Sequence, residues 1–248
     1  MIKSFWDNEN KSIKVKLCGI KTLEIAYKTA QLGADAIGFH IWKKWAQNEF
    51  EEHIKQFRYI LKFLPTQLSC WIVTDIIEPT IIKRVIYGIG FDTVQIQSKV
   101  PLKELLNLLK GLDSIRKKRE IKIVKSIAMA AKSHEKILKN VEIYLPYVDG
   151  VLLDSRWKGG SGIVHNWRLA AEIVKEVKKP VILAGGLNPE NIATAITTAR
   201  PYAVDVETGV ETIVGYYKRK EIKCKSILEI KNFIQNAKIH KSQWKRDY

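Results

Sequence analysis

Apolar residues fall along this chain in two alternating rhythms. Short, nearly continuous runs rich in β-branched residues occur eight times: KVKLCGI (14–20), AIGFHI (36–41), LSCWIVT (68–74), TVQIQ (93–97), IKIVKSIAM (121–129), VDGVLLDS (148–155), PVILAGG (180–186) and YAVDVETG (202–209). Between them lie stretches such as TLEIAYKTAQLG, FEEHIKQFRYILKFL, TIIKRVIYGIG, PLKELLNLLKGL, NWRLAAEIVKEVK and PENIATAITTA, in which apolar side chains recur every three or four positions. The first rhythm predicts parallel strands buried on both faces, and the second predicts amphipathic helices that cover them. Eight such units in series predict a single (β/α)8 TIM barrel, with a doubly wound open sheet as the alternative. The barrel is expected over 14–238, with 1–13 as an N-terminal extension and 239–248 as a C-terminal tail. The closing KSQWKRDY reads as an appendage or as the end of the last helix. Pro and Gly sit at element ends, and no linker or low-complexity segment interrupts the pattern.

Composition adds bounds. The chain has 248 residues, 46% of them hydrophobic, enough for one large core. Forty-two basic against 26 acidic residues give a formal charge of +16, which concentrates anionic ligands near the surface without specifying nucleic acid. The basic runs RKKRE (116–120) and YYKRKEIKCK (216–225) are short and read as solvated helix faces. Cys18, Cys70 and Cys224 show no CxxC spacing, and the five histidines show no metal-ligand spacing, so neither a disulfide framework nor a bound metal is expected. No apolar leader opens MIKSFWDNENKSIK, and no run of 18 apolar residues occurs. The expectation is a cytoplasmic protein without a membrane span.

Barrel enzymes carry their chemistry at the C-terminal ends of strands and in the loops that follow. At the end of the first strand, Cys18 reads either as a base or nucleophile or as a small buried hydrophobe. At the end of the sixth, Asp154 is either a structural hydrogen-bond acceptor or an acid. The following loop holds Gly159-Gly160-Ser161-Gly162, a ligand-covering lid or a flexible connection. Gly185-Gly186 permit close backbone approach, and Asn188-Pro189-Glu190 open a helix in a cap-then-proline pattern. With Glu207-Thr208-Gly209 after the eighth strand, these loops form a candidate phosphate cradle. His40 ends the second strand at a place from which it can point into the site. Lys125 could form a Schiff base in an aldolase-like barrel or merely bridge a carboxylate.

On KLCGI, LGADAIGF, VDGVLLDS with its GGSG, and above all PVILAGGLNPENIATAI running into RPYAVDVETGVE, the chain resembles the phosphoribosylanthranilate isomerases over roughly 14–211. The resemblance implies an Amadori rearrangement of an N-linked aminoaldose phosphate to a 1-amino-1-deoxyketose in tryptophan biosynthesis, with no cofactor. It implies Asp154 as the general acid on the furanose oxygen and Cys18 as the general base at C2′. Gly186, Leu187, Asn188, Thr208 and Gly209 would face the phosphate, with Gly160 also near the substrate. The partner is then a small phosphorylated sugar, the assembly a monomer or homodimer, and nucleic acid is not expected.

Three segments depart from the family pattern. HIWKKWAQNEF stands where Ser-Pro-Arg usually follows the second strand, leaving Lys43 or Lys44 to supply a cation and Trp42 and Trp45 to stack on an aromatic ring. Gln97-Ser98 replaces His-Gly. Glu207 replaces a serine beside the cradle, where it would repel phosphate unless it turns away or pairs with a cation such as Lys218 or Arg219. Retooled lyase chemistry at Lys125, and a noncatalytic binder of a phosphorylated ligand or nucleic acid, are the alternatives.

Overall fold

A computed structural model of the chain describes residues 5–7, 12–45, 47–97, 99–129, 133–155, 166–217 and 220–239. The eight apolar runs form β1 (Lys14–Leu17), β2 (Ala36–Ile41), β3 (Ser69–Thr74), β4 (Thr93–Ile96), β5 (Lys122–Ala128), β6 (Gly150–Asp154), β7 (Val181–Leu183) and β8 (Ala203–Val206). They close in sequence order into a parallel barrel. The closing seam pairs β1 with β8, Leu17 opposite Val206, and this seam excludes the open sheet. Around the barrel lie α1 (Leu23–Gln31), α2 (Gln47–Leu61), α3 (Pro79–Ile89), α4 (Leu102–Arg119), α5 (His134–Tyr144), α6 (Trp167–Glu176), α7 (Ile192–Ala199) and α8 (Ile227–Ile239).

Strand alternation sorts each run into two layers. Val15, Leu17, Ile37, Phe39, Ile41, Ile123 and Ile127 face outward and pack against helix residues such as Ile82, Leu105, Ile137 and Phe233. Each such side chain, once buried, contributes about 1.5–3 kcal/mol. The opposite face of the same strands points into the lumen, where Ala36, Trp71, Val124, Leu152, Ile182 and Ala203 form a separate cluster. Local signals set the helix ends: Thr22 Oγ1 accepts from Ile25 N at 3.3 Å to cap α1, Pro79 opens α3, and Gly90 closes it at φ 102°.

Two segments differ from the sequence expectation. Phe5 and Trp6, in the stretch read as an N-terminal extension, pack into the N-terminal end of the barrel. Phe5 is fully buried with its ring edge-on to Trp71 at 5.0 Å and to Tyr202 at 5.8 Å. Trp6 stacks on Trp71 at 5.5 Å and donates from Nε1 to Thr93 Oγ1 at 3.2 Å. The run 216–225 is not a helix face: β9 (Glu211–Tyr217) and β10 (Lys220–Lys225) make an antiparallel hairpin between β8 and α8. RKKRE does end a helix, placing Arg116–Arg119 in the last turn of α4, where cations complement the helix dipole. No helix among the described residues is long and apolar enough to cross a membrane. Residues 240–248, which include KSQWKRDY, lie outside the described residues.

Candidate active site

A cavity of about 690 Å³ opens at the C-terminal end of the barrel, and its walls come from β1 to β4 and from β6 to β8 with the loops that follow them. Cys18 and Asp154 both line it, because each follows an outward-facing residue and therefore points inward. Their strands enter the ring nearly opposite one another.

Around Cys18 the inward positions of neighbouring strands converge. Its Sγ lies 3.4 Å from His40 Nε2, and the same nitrogen lies 3.6 Å from Glu207 Oε2. Below it, Lys16 Nζ meets Asp205 Oδ2 at 2.8 Å. The two groups form a buried ion pair of opposite charges, and each stabilises the charged form of the other. Burial pushes the Cys18 thiol up to about 12 despite Lys16 alongside, so the resting group is a thiol. Burial lowers His40 and keeps its ring neutral, against Glu207, which acts in the other direction. Burial works against the Lys16 charge, but Asp205 and Cys18 outweigh it and hold the ammonium above the usual lysine range.

Around Asp154 a chain of amides sets direction. Ser126 Oγ donates to Gln97 Oε1 at 2.7 Å and Gln95 Nε2 donates to the same oxygen at 2.9 Å. The Gln97 amide nitrogen is thereby turned toward Asp154 Oδ2, to which it donates at 3.4 Å. Ser155 Oγ donates to Oδ1 at 3.4 Å. Gln97 thus orients the carboxyl that it also neighbours in the cavity wall.

The loops after β7 and β8 are pressed together. A β-carbon on Gly209 would sit 1.8 Å from the Leu187 carbonyl oxygen, and one on Gly185 would sit 2.6 Å from Ser155 N. Gly185 and Gly186 also hold φ of +89° and +67°, which favours glycine. Asn188 turns inward on its own loop: Oδ1 accepts from Glu190 N at 3.1 Å and Asn191 N at 2.9 Å. Its side chain fixes the entry to α7. Among the described residues, the backbone amides of Gly186, Leu187, Thr208 and Gly209 donate to no protein acceptor, and all four residues line the cavity. Glu207 leans away from them, with Oε1 2.9 Å from the β-carbon position of Gly19. Lys225, the last residue of β10, bonds the Glu207 carbonyl oxygen and pairs with Glu211 at 3.1 Å.

The turn after β2 divides. Trp42 and Lys44 line the cavity, with the Trp42 ring 4.9 Å from that of His40. Lys43 instead pairs with Glu78 at 2.9 Å in solvent, and Trp45 stacks on His53 at 3.9 Å. Lys125 does not face the lumen. It shares the outward face of β5 with Ile123 and Ile127, donates to Ser126 O at 2.7 Å and lies 5.4 Å from the Tyr144 ring, and burial lowers it to about 7. Schiff-base chemistry in this cavity is therefore closed to it. Gly160, Ser98, Lys218 and Arg219 lie outside the described residues.

The model of the N-(5′-phosphoribosyl)anthranilate isomerase family matches residues 15–236. The chain belongs to that family. It is 31% identical over 232 residues to N-(5′-phosphoribosyl)anthranilate isomerase 2 of Methanosarcina mazei, covering 91% of this chain and 94% of the relative. The isomerase of Methanocella arvoryzae is 33% identical over 230 residues, with 92% and 99% covered. The crystal structure of the phosphoribosylanthranilate isomerase from Thermotoga maritima superposes with a TM-score of 0.70 at 28% identity, covering 91% of this chain and 98% of that one. A phosphoribosylanthranilate isomerase in complex with reduced 1-(o-carboxyphenylamino)-1-deoxyribulose 5-phosphate gives 0.68 at 28%, with the same coverage. Within this isomerase family frame, His40, Asp75, Gln95, Ser126, Lys16 and Asp205 are further polar groups in or beside the cavity. Period-two counting back from Cys18, Gln97, Ala128 and Glu207 reaches Lys16, Gln95, Ser126 and Asp205; the position of His40 at the end of β2 already pointed to the site, and Asp75 directly follows β3.

Proposed function

We propose that this chain isomerises N-(5′-phosphoribosyl)anthranilate to 1-(o-carboxyphenylamino)-1-deoxyribulose 5-phosphate. The observation that carries this reading is the placement of Cys18 and Asp154 on facing walls of one cavity that is floored at one side by unused loop amides. Asp154, held by Gln97 and Ser155, gives its proton to the furanose oxygen as the C1′–O bond breaks and the amine lone pair forms a cationic Schiff base. Cys18 then takes the proton from C2′, the electron pair moves toward nitrogen, and the resulting enolamine tautomerises to the ketone. Nothing is consumed, so no cofactor enters. A thiol near 12 is a poor base at neutral pH, and the Schiff-base cation is the charge that would bring it down.

The phosphate is assigned to the amides of Gly186, Leu187, Thr208 and Gly209, with Asn188 shaping the loop. Glu207 leaves room for the dianion because its carboxyl lies toward Gly19 and His40. The anthranilate ring is assigned to Trp42 and its carboxylate to Lys44, in place of the arginine found elsewhere in the family. The test is turnover of freshly generated substrate, followed by loss of its fluorescence. Asp154→Asn and Cys18→Ala should each lower kcat by about 10²–10⁴-fold while circular dichroism and melting temperature stay near wild type. Retention of activity in both variants overturns the mechanism, and an inactive, folded wild-type protein overturns the substrate.

A further inference from the structure

Three donor atoms of different chemistry meet at one wall of the cavity. Cys18 Sγ, His40 Nε2 and a Glu207 carboxyl oxygen all lie within 4.8 Å of one another. The sulfur–nitrogen and nitrogen–oxygen separations are 3.4 and 3.6 Å. Tetrahedral zinc, with bonds of about 2.3 Å to sulfur and about 2.0–2.2 Å to nitrogen and oxygen, sets its ligands roughly 3.3–3.6 Å apart. A proton relay would look different. In a carboxylate–imidazole–thiol relay the carboxylate meets one ring nitrogen and the thiol the other, whereas here both meet Nε2. That shared vertex is the geometry of ligands around a common centre.

Charge favours occupancy as well. Lys16 is balanced by Asp205 and Lys225 by Glu211, so a thiolate and the Glu207 carboxylate together would carry two uncompensated negative charges. A divalent cation cancels them, with a neutral imidazole as the third ligand. A sulfur–nitrogen–oxygen set selects a borderline ion of the zinc type over magnesium or calcium. We infer that Cys18, His40 and Glu207 form a three-ligand site for such a divalent cation, with its fourth position open to the cavity. Binding exchanges the Cys18 S–H bond for an S–metal bond, the proton leaves to solvent, and water fills the open position. Resting on the function proposed above, the consequence is a reversible block: a thiolate coordinated to metal cannot accept the C2′ proton.

The test is titration of chelator-treated full-length protein with Co²⁺ and then Zn²⁺, in a Cys224→Ser background that removes the exposed thiol. One equivalent of Co²⁺ should develop a thiolate-to-metal charge-transfer band and visible bands of a tetrahedral ion, and Zn²⁺ should abolish both. Cys18→Ser should lose the charge-transfer band. Glu207→Gln and His40→Gln should each weaken binding at least about tenfold, since even outer-shell changes at metal sites cost that much. Metal-free circular dichroism checks that each variant folds. X-ray absorption of the Zn²⁺-loaded parent, showing one sulfur among nitrogen and oxygen neighbours, reads the same ligand set without mutation. The inference is overturned if the parent develops no charge-transfer band, if the band survives in Cys18→Ser, or if both the Glu207 and His40 variants bind as tightly as the parent. Metal binding together with no turnover by the chelator-treated, metal-free protein would defeat the proposed function alone, and turnover by a protein that binds no metal would defeat this inference alone.

Discussion

The two ends of the barrel solve opposite problems with the same eight strands. At the N-terminal end the lumen is filled by Phe5, Trp6, Trp71 and Tyr202, rings edge-on or stacked, with their polar atoms satisfied: Trp71 Nε1 donates to Ser69 Oγ at 2.8 Å and the Tyr202 hydroxyl donates to the Phe5 carbonyl. At the C-terminal end the lumen widens into a cavity walled by a thiol, an imidazole, amides and carboxylates. Such groups would be poor core and are good chemistry. The fold therefore takes its stability from the closed end, which packs, and gives some up at the open end, which holds polar groups out of bulk water.

Lys16 and Asp205 mark the boundary. The Lys16 ammonium lies 5.2 Å from the centre of the Trp71 ring on one side and beside Cys18 on the other. Lys16→Met should therefore break the separation of the two ends, with a large effect on stability and activity together. Leaving Asp205 buried without its partner should cost about 3–5 kcal/mol in chemical denaturation. Lys16→Met with Asp205→Leu should recover much of that stability but not the activity, because Lys16 is the main influence that lowers the Cys18 thiol. Recovery of both together would show that the pair serves packing only.

Phe5→Ala should weaken the closed end and leave the open end intact. Truncating a fully buried phenylalanine costs about 3–5 kcal/mol, so the melting temperature should fall well below wild type. Turnover per folded molecule should hold at a temperature where both proteins are native. A matching loss in kcat would mean that the plug shapes the cavity above it.

Legibility in the sequence also differs between the ends. The strands and the positions of Cys18, Asp154 and the glycine loops follow from apolar runs and from the rule that barrel chemistry lies at strand ends, and those signals are local. The plug is not legible, since Phe5 and Trp6 are two aromatics in a polar stretch and their partner Tyr202 is 197 positions from Phe5. The β9–β10 hairpin escaped for a different reason. Ile213, Val214, Tyr216 and Tyr217 are exposed, so neither a two-residue nor a 3.6-residue period is imposed by a buried face. The meeting of His40 with Cys18 and Glu207 depends on the β1–β8 seam, which joins residues almost 200 positions apart. Before closure, Glu207 could only be judged against its own loop, where it looked like a repulsive neighbour of phosphate.

Two adjacent lysines that sequence could not tell apart sit differently at the cavity rim. Lys44 lines the cavity whereas Lys43 is exposed and paired with Glu78, because consecutive residues in a turn point in different directions. If Lys44 meets the substrate carboxylate, it does so at the cavity rim in contact with solvent, where one ion pair contributes little. Lys44→Ala should then raise KM about two- to fivefold with kcat nearly unchanged, the signature of an interaction made equally in the ground and transition states. Raising ionic strength should raise KM for wild type and much less for Lys44→Ala, since screening acts on a charge the variant lacks. Lys44→Arg should lower KM if the guanidinium can grip the carboxylate through two parallel bonds, and Lys43→Ala should leave both constants unchanged. An unchanged KM in Lys44→Ala with a raised one in Lys43→Ala would mean that the turn after β2 closes over the substrate in another arrangement, with Lys43 released from Glu78.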